Sequence, residues 1–543
     1  MHEWRSMLLA AAVAGALMSS ARAEPVVNPK VVTDQSIDCS SLETIVKGVV
    51  KPGMSDQEKA IALYNWFRRV CFHFRCMGYD RRDVLRVINS YGCDLCGSQA
   101  AVFRQVLNAA GLTARVTSGN GGRELGHTVV EAQWDGRWHV FDTMTSFYVL
   151  TRGEKPTVAG MADIAADPTL VTKAVEEKRC GPEFLYCLHQ TEVSLAKRRE
   201  WEAAKMLTPP EDIAWTLLVI ANDQDGKPQS TLTFWEKGPR KASPNKPEDT
   251  AGGRYEPGLL DITLKANEEY VRLWDNVGKW VKDGTFNQIG PYHSCGTVDE
   301  LDPINFKYYE PYKKENVGYA KAAYRYYGNG WLDWQPKTDE VLAGATAKNL
   351  AYDKAAGVLK AEDATKPASL VIPVKSPYAT VEAALALDIR KADEKAKISV
   401  TFTPMRDKRP AKATKKNVEA KAGVAEVVFP NEAAGVVDYE LKVDVSGGAV
   451  EFNVKQLKTT FQVNFQSLPY FAPGKNTVTV SAGASDLKDA KLLVTYEWAE
   501  GENWKDAKTD AQEITAFPKS YTLDVAGPKM PRMKKLVIKV VPK

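Results

Sequence analysis

The sequence predicts an α+β protein in which a mixed domain of helices and a small sheet precedes β-rich accessory domains of the β-sandwich kind. Three observations carry that expectation. Helical periodicity with explicit start and stop residues is concentrated before Gly111, an Asp135-Gly136 hairpin signal follows, and beyond about residue 205 short alternating segments recur between Pro, Gly and Lys clusters. A hydrophobic content of 44% with 26% charged residues is ordinary globular composition, which excludes wholesale disorder and coiled-coil rods. Lys and Arg number 72 against 68 Asp and Glu, a net charge of +4. That is too balanced for a chain whose main partner is a nucleic-acid backbone.

The elements justify themselves in order. Glu3 and Arg5 precede an apolar stretch from Met7 to Met18, too short to span a bilayer, that ends in the small-x-small run Ala21-Arg22-Ala23. Residues 1–23 therefore read as a signal peptide, with an exported product, periplasmic or secreted, beginning near Glu24. No later apolar run is long enough for a transmembrane segment. Ser40 with Glu43 forms a capping box for a first helix that stops around Gly48 and Pro52, and Ser55 with Glu58 opens a second through Leu63, Tyr64, Phe67 and Val70. A third helix is expected from Cys96 to Ala110, with Ala100, Phe103, Val106 and Leu107 inward and Gly111 as its stop. Two strands follow, Thr128 to Trp134 and Arg137 to Thr143, joined by the Asp-Gly dipeptide of a type I′ turn. The expected domain boundaries are 24–205 for the mixed helix-and-sheet domain, 206–365 for a β-rich accessory domain, and 366–468 and 469–543 for two β-sandwiches.

The chemistry lies in the first half. Cys96 stands where the third helix begins, so unpaired peptide N–H groups and the positive dipole end point at its sulfur and favour a thiolate. With Asp135 and Gly136 as the loop, Trp134 pairs with Arg137, and His127 falls opposite Met144. Asp142 is then a diagonal neighbour of His127 on one face, within reach of a carboxylate–imidazole hydrogen bond. Cys96, His127 and Asp142 supply nucleophile, base and orienter for acyl transfer.

From Ser55 to Tyr148 these residues resemble the transglutaminase-like superfamily of papain-like cysteine enzymes. The resemblance rests on the Glu58-Lys59-Ala60 helix, the Cys96-x-x-x-Ala100 helix start, Gly111-Leu112-Thr113-Ala114-Arg115, the Gly126-His127 strand and Trp138-x-x-Phe141-Asp142. It implies an exported, bacterial-type multidomain member with Cys96 as nucleophile, His127 as base and Asp142 as third member. It also implies an acyl-enzyme made from an amide in a protein or peptide substrate and resolved by water or by an amine. Peptide or isopeptide hydrolysis is the first expectation and cross-linking the second. A non-catalytic surface-binding protein on the same scaffold is the rival. The backbone N–H of Cys96 would be one oxyanion donor, and Trp66 is one candidate for a side-chain donor. The chemistry requires no metal or organic cofactor.

Other readings compete for the same residues. Each of Cys96 and His127, taken singly, has a structural reading as half of a disulfide or a satisfied strand residue. There are eight cysteines, all within the first 295 residues. Cys93-Asp94-Leu95-Cys96 is the Cys-x-x-Cys spacing of thiol–disulfide oxidoreductases, though no preceding strand of such a unit is present. A Cys93–Cys96 disulfide masking the nucleophile keeps both observations. A zinc site from Cys71, Cys76, Cys93 and Cys96 would consume the nucleophile, and Cys180 with Cys187 is the nearest plausible structural bridge. Gly119, Gly121 and Gly122 lack phosphate-loop spacing and read as a turn. In the second half, Tyr324 to Trp334 alternates rings around Gly328-Asn329-Gly330, either a hairpin whose rings fill a sheet or a platform for a polysaccharide. Arg406 to Lys421 carries seven basic and two acidic residues. It reads as a solvated loop, with contact to an anionic cell-wall polymer as the sharper alternative.

Overall fold

The computed structural model describes residues 24–73, 83–94, 96–118, 128–143, 148–174, 253–274, 279–280, 327–406, 409–430, 432–483, 489–500, 507–528 and 530–543, with 177, 179 and 487. The expected signal peptide, His127, Cys76, Cys180, Cys187, Cys295, the Gly119–Gly122 turn and the rings of Tyr324 and Tyr326 lie outside them.

The N-terminal part packs helices α1 (Leu42–Val49), α2 (Asp56–Val70) and α3 (Cys96–Ala109) on one side of a small sheet. The expected cap of α1 is displaced by one residue. Ser41, not Ser40, accepts the peptide N–H of Thr44 at 3.1 Å, and Thr44 takes the place expected for Glu43. Ser40 instead accepts from Lys30 Nζ at 3.2 Å. The box on α2 is as the spacing requires: Ser55 N–H donates to Glu58 at 2.8 Å, and Glu58 N–H donates back to the Ser55 hydroxyl. Leu63, Tyr64 and Phe67 of α2 and Phe103, Val106 and Leu107 of α3 are fully buried in a common core. Gly111, at a φ of +82° that a side chain would resist, ends the helical run.

The first strands are β1 (Val26–Val27), β2 (Lys30–Thr33), β3 (Phe72–His73), β4 (Cys93–Asp94), β5 (Thr113–Ser118), β6 (Thr128–Trp134) and β7 (Arg137–Phe141). β5, β6 and β7 form an antiparallel sheet, and the hairpin register is the expected one, from Trp134 opposite Arg137 to Val130 opposite Phe141. Asp135 and Gly136 both take positive φ, as a type I′ turn demands. Phe141 packs onto Tyr64 and Phe103, so this hairpin face closes the helical core.

The remainder is β. A ten-stranded sheet contains β9 (Glu268–Leu273), which pairs on one edge with Gly330–Trp334 and on the other with Arg532–Pro542; β8 (Thr263–Leu264) pairs with β1. Part of this sheet packs on a six-stranded sheet through Leu385, Leu457, Phe402 and Leu441. Another part packs on a three-stranded sheet through Tyr496, Ile538, Val478 and Val480. The result is two sandwiches that share one sheet. Strands from the stretches 206–365, 366–468 and 469–543 are therefore hydrogen-bonded to one another. β2 joins Gly474–Ser481, with Val31 opposite Val480, so the segment before the helices belongs to a sheet built from the far end of the chain. Trp334 and Leu332 are buried, as a core-filling run requires, and Lys265 caps the Trp334 ring at 4.1 Å. The run is not the expected hairpin: Gly330–Trp334 lies between β9 and Val450–Gln462, and Tyr327–Gly328 pairs with Lys279–Trp280.

A polar seam ties the helical part to the β part. Asn464, fully buried, donates to the carbonyls of Val70 and Ile88, each at 2.7 Å. Ser90 donates to Gln462 O and accepts from Ala379 N. Gly92, at φ +64°, leaves the room: a Cβ there would stand 2.7 Å from the Asn464 side chain. Among the described residues no helix is long and apolar enough to cross a membrane.

Candidate active site

The local path into α3 is set by a π-helical turn, Val87–Tyr91, whose first carbonyl, that of Val87, accepts the Gly92 N–H. The chain then forms β4, parallel to β3, with Phe72 opposite Cys93 and His73 opposite Asp94. Two residues later α3 opens on Cys96, which is partly exposed at the helix tip. Its first-turn N–H groups have no intrahelical acceptors, the condition that favours an anion at this end.

Below the tip lies a layer of buried polar groups. Asp94 and Gln99 are fully enclosed, as is Cys71. Burial pushes the Cys71 thiol well up, the Asp94 charge adds to that, and Gln99 opposes it. Cys39 is likewise held far above the ordinary thiol value, by burial first and Asp38 second. Of the three cysteines described in side-chain detail, only Cys96 is reachable from solvent.

The hairpin arrives beside this tip. Thr128, the first residue of β6, places its hydroxyl 3.9 Å from where a Cβ on Gly97 would stand. The residue that follows His127 in the chain thus abuts the residue that follows Cys96. Asp142, just beyond the end of β7, is 1% exposed, and its carbonyl accepts the Tyr64 hydroxyl at 2.6 Å. Burial raises the Tyr64 hydroxyl, Arg68 opposes, and the Asp142 charge adds to the rise. Of the three expected residues, Cys96 lies at the tip of α3, and Asp142 is buried just beyond β7 with its carbonyl held by Tyr64 of α2. The third, His127, lies outside the described residues. Trp66 is buried beside Phe67 in the helical core.

The hairpin itself is braced from behind. Glu131, 1% exposed, pairs with Arg115 at 2.7 Å and accepts from the Met161 N–H, and the Arg115 guanidinium stacks on Trp138 at 3.9 Å. Met161 opens helix α4 (Met161–Ala166), and Gly160 before it meets the Trp138 carbonyl so closely that no side chain fits. Sequence reasoning missed this brace. Its signal was a charged pair, Arg115 and Glu131, at positions the β5–β6 register sets opposite each other. Among the described residues no cluster of three or more His, Cys, Asp or Glu side chains could hold a metal ion.

The described part of the site is thus a partly exposed cysteine at the tip of a helix whose first turn lies near the start of an antiparallel β-ribbon. Residues 43–143 match the family model described as the transglutaminase-like superfamily, so that stretch is a transglutaminase-like domain, and the superfamily includes cysteine acyl-transfer enzymes. No curated protein matches the chain. Among solved structures, the chain is similar to the glycoside hydrolase domain of Endo-D from Streptococcus pneumoniae R6, at 15% identity and a TM-score of 0.16, over 40% of this chain and 38% of that one. It is also similar to a structure described as "CBM4 structure and function", at 16% identity and a TM-score of 0.13, over 25% of this chain and 86% of that one. The chain thus spans well under half the length of the first of these.

Proposed function

We propose that the protein is an exported cysteine-dependent acyl-transfer enzyme that hydrolyses peptide or isopeptide amides through a thioester on Cys96. The observation that carries this reading is the approach of Thr128 to Gly97, which sets the chain positions adjoining His127 and Cys96 side by side. In the proposed cycle His127 takes the Cys96 proton, and the thiolate attacks the amide carbonyl carbon. The imidazolium then returns a proton to the departing amine as the C–N bond breaks. Water, deprotonated by the same ring, attacks the thioester and releases Cys96 and a carboxylic acid. Asp142 orients the ring and stabilises its charge. First-turn N–H groups of α3 supply the oxyanion contacts.

Timed iodoacetamide labelling at neutral pH tests the nucleophile. Cys96 should react fast, and His127→Ala should slow it by at least about tenfold, in line with loss of a thiolate-stabilising partner. Slow labelling that is indifferent to His127→Ala would refute the pairing. A peptide library incubated with a tagged primary amine separates the outcomes: cleaved or deamidated products support hydrolysis, and tagged products would replace it with cross-linking.

A further inference from the structure

A second site is built where the β1–β2 connection, the Cys39 loop and β9 meet. They line a small cavity with an open mouth. Arg272, on β9, lines it and is only 8% exposed. Its Nε and Nη2 have no hydrogen-bond partner, and among the described residues it makes no ion pair. The Tyr270 ring lies 4.5 Å beneath the guanidinium, and the Tyr378 hydroxyl lies beside it.

A guanidinium stays charged at any physiological pH, so its burial cannot be relieved by losing a proton. Tyr270 does not act as its counter-ion, because burial raises that hydroxyl far above its ordinary range and keeps it neutral. The cavity's own carboxylates are engaged or peripheral. Asp38 accepts the Ser40 N–H at 2.9 Å, and Asp261 is exposed beside Gly258. The two unsatisfied donors are not scattered: Nε–H and one Nη2–H lie parallel along a single edge of the planar fork. That edge matches two oxygens of one carboxylate.

We propose that this cavity binds a small monocarboxylate ligand, held side-on by Arg272 against the Tyr270 and Tyr378 rings. A planar carboxylate is favoured over a phosphate on two grounds. The open edge offers two coplanar donors, and Asp38 and Asp261 in the wall work against a dianion, with Lys30 as the one further cation lining the cavity.

Calorimetric titration and thermal denaturation of the full chain test the assignment at ionic strength held constant with NaCl. The probes are acetate, benzoate and N-acetyl-L-alanine, with benzamide and N-acetyl-L-alaninamide as neutral counterparts and inorganic phosphate as the tetrahedral control. At least one acid should bind saturably and raise the unfolding midpoint with concentration, as a native-state ligand must, while its amide does not. Arg272→Lys, which keeps the charge and loses the fork, should weaken that acid about tenfold or more, and Arg272→Met should abolish its binding. If either variant fails to fold, hydrogen exchange on the wild type decides, with slowing confined to residues 260–273 and 28–40 when the acid is added. No saturable binding by any acid below about 50 mM would overturn the site. So would an amide as effective as its acid, or an effect retained in Arg272→Met. Phosphate binding more tightly than every acid would overturn the carboxylate assignment.

Discussion

Replacing Asn464 with Ala should loosen the seam between the helical and β parts. The wild-type amide donates at 2.7 Å to the carbonyls of Val70 and Ile88, the first at the end of α2 and the second in the π-helical turn that leads to Cys96. Its own carbonyl oxygen accepts the Gln466 N–H. Ala removes both donors, and each buried carbonyl left without one costs about 1–3 kcal/mol, so the loss should be about 2–6 kcal/mol. Asn464→Asp is the sharper comparator. It keeps the shape and the acceptor for Gln466 but sets a carboxylate oxygen against two carbonyls, so it should destabilise at least as much. Urea denaturation followed by tryptophan fluorescence measures the loss, and hydrogen exchange over residues 83–94 shows whether it is felt at the turn. An Asn464→Ala protein within about 0.5 kcal/mol of wild type, with exchange there unchanged, would refute the idea that this amide holds the two parts together.

Three further outcomes follow from the same structure. Burial holds Cys39 and Cys71 in the thiol form, so iodoacetamide at neutral pH should modify Cys96 in the native protein and reach those two only in denaturant, as peptide mapping would show. Gly160→Ala should cost about 2–3 kcal/mol in urea denaturation, because its Cβ would stand 2.1 Å from the Trp138 carbonyl oxygen and the backbone must shift. His139 is buried against Trp134 and faces the Val158 and Trp134 carbonyls. Burial lowers its pKa, with the carbonyls opposing. The unfolded chain therefore takes up the proton first as pH falls below the ordinary histidine value. Stability should decline through that window and recover above it. His139→Gln should flatten the decline in urea midpoints measured from pH 8 to pH 5.

Much of the N-terminal domain was legible because its signals are local. Ser55 with Glu58, Gly111, and Asp135-Gly136 each act within a few residues, and the hairpin dipeptide alone set the pairing of Trp134 with Arg137. The cap of α1 was ambiguous for an equally local reason. Ser40 and Ser41 are both competent; Ser41 caps the helix, and Ser40 is engaged by Lys30 outside it. The β architecture was legible as strands but not as partners. Nothing near Glu268–Leu273 says that its edges will meet Gly330–Trp334 and Arg532–Pro542, since those pairings depend on shape complementarity across hundreds of residues. Near the candidate site, the helix start at Cys96 and the strand end before Asp142 could be read locally. The buried layer of Asp94, Gln99 and Cys71 could not, because it depends on β3 lying parallel to β4.

The pairing of β2 with Gly474–Ser481 bears on how the molecule is made. A ribosome delivers the second of these strands more than four hundred residues after the first. Until then the early strand has an unsatisfied edge and waits, exposed to wrong partners, for a neighbour not yet synthesised. Closure of the whole is a late event, and a nascent chain arrested before residue 474 should lack the strand that clasps its own beginning.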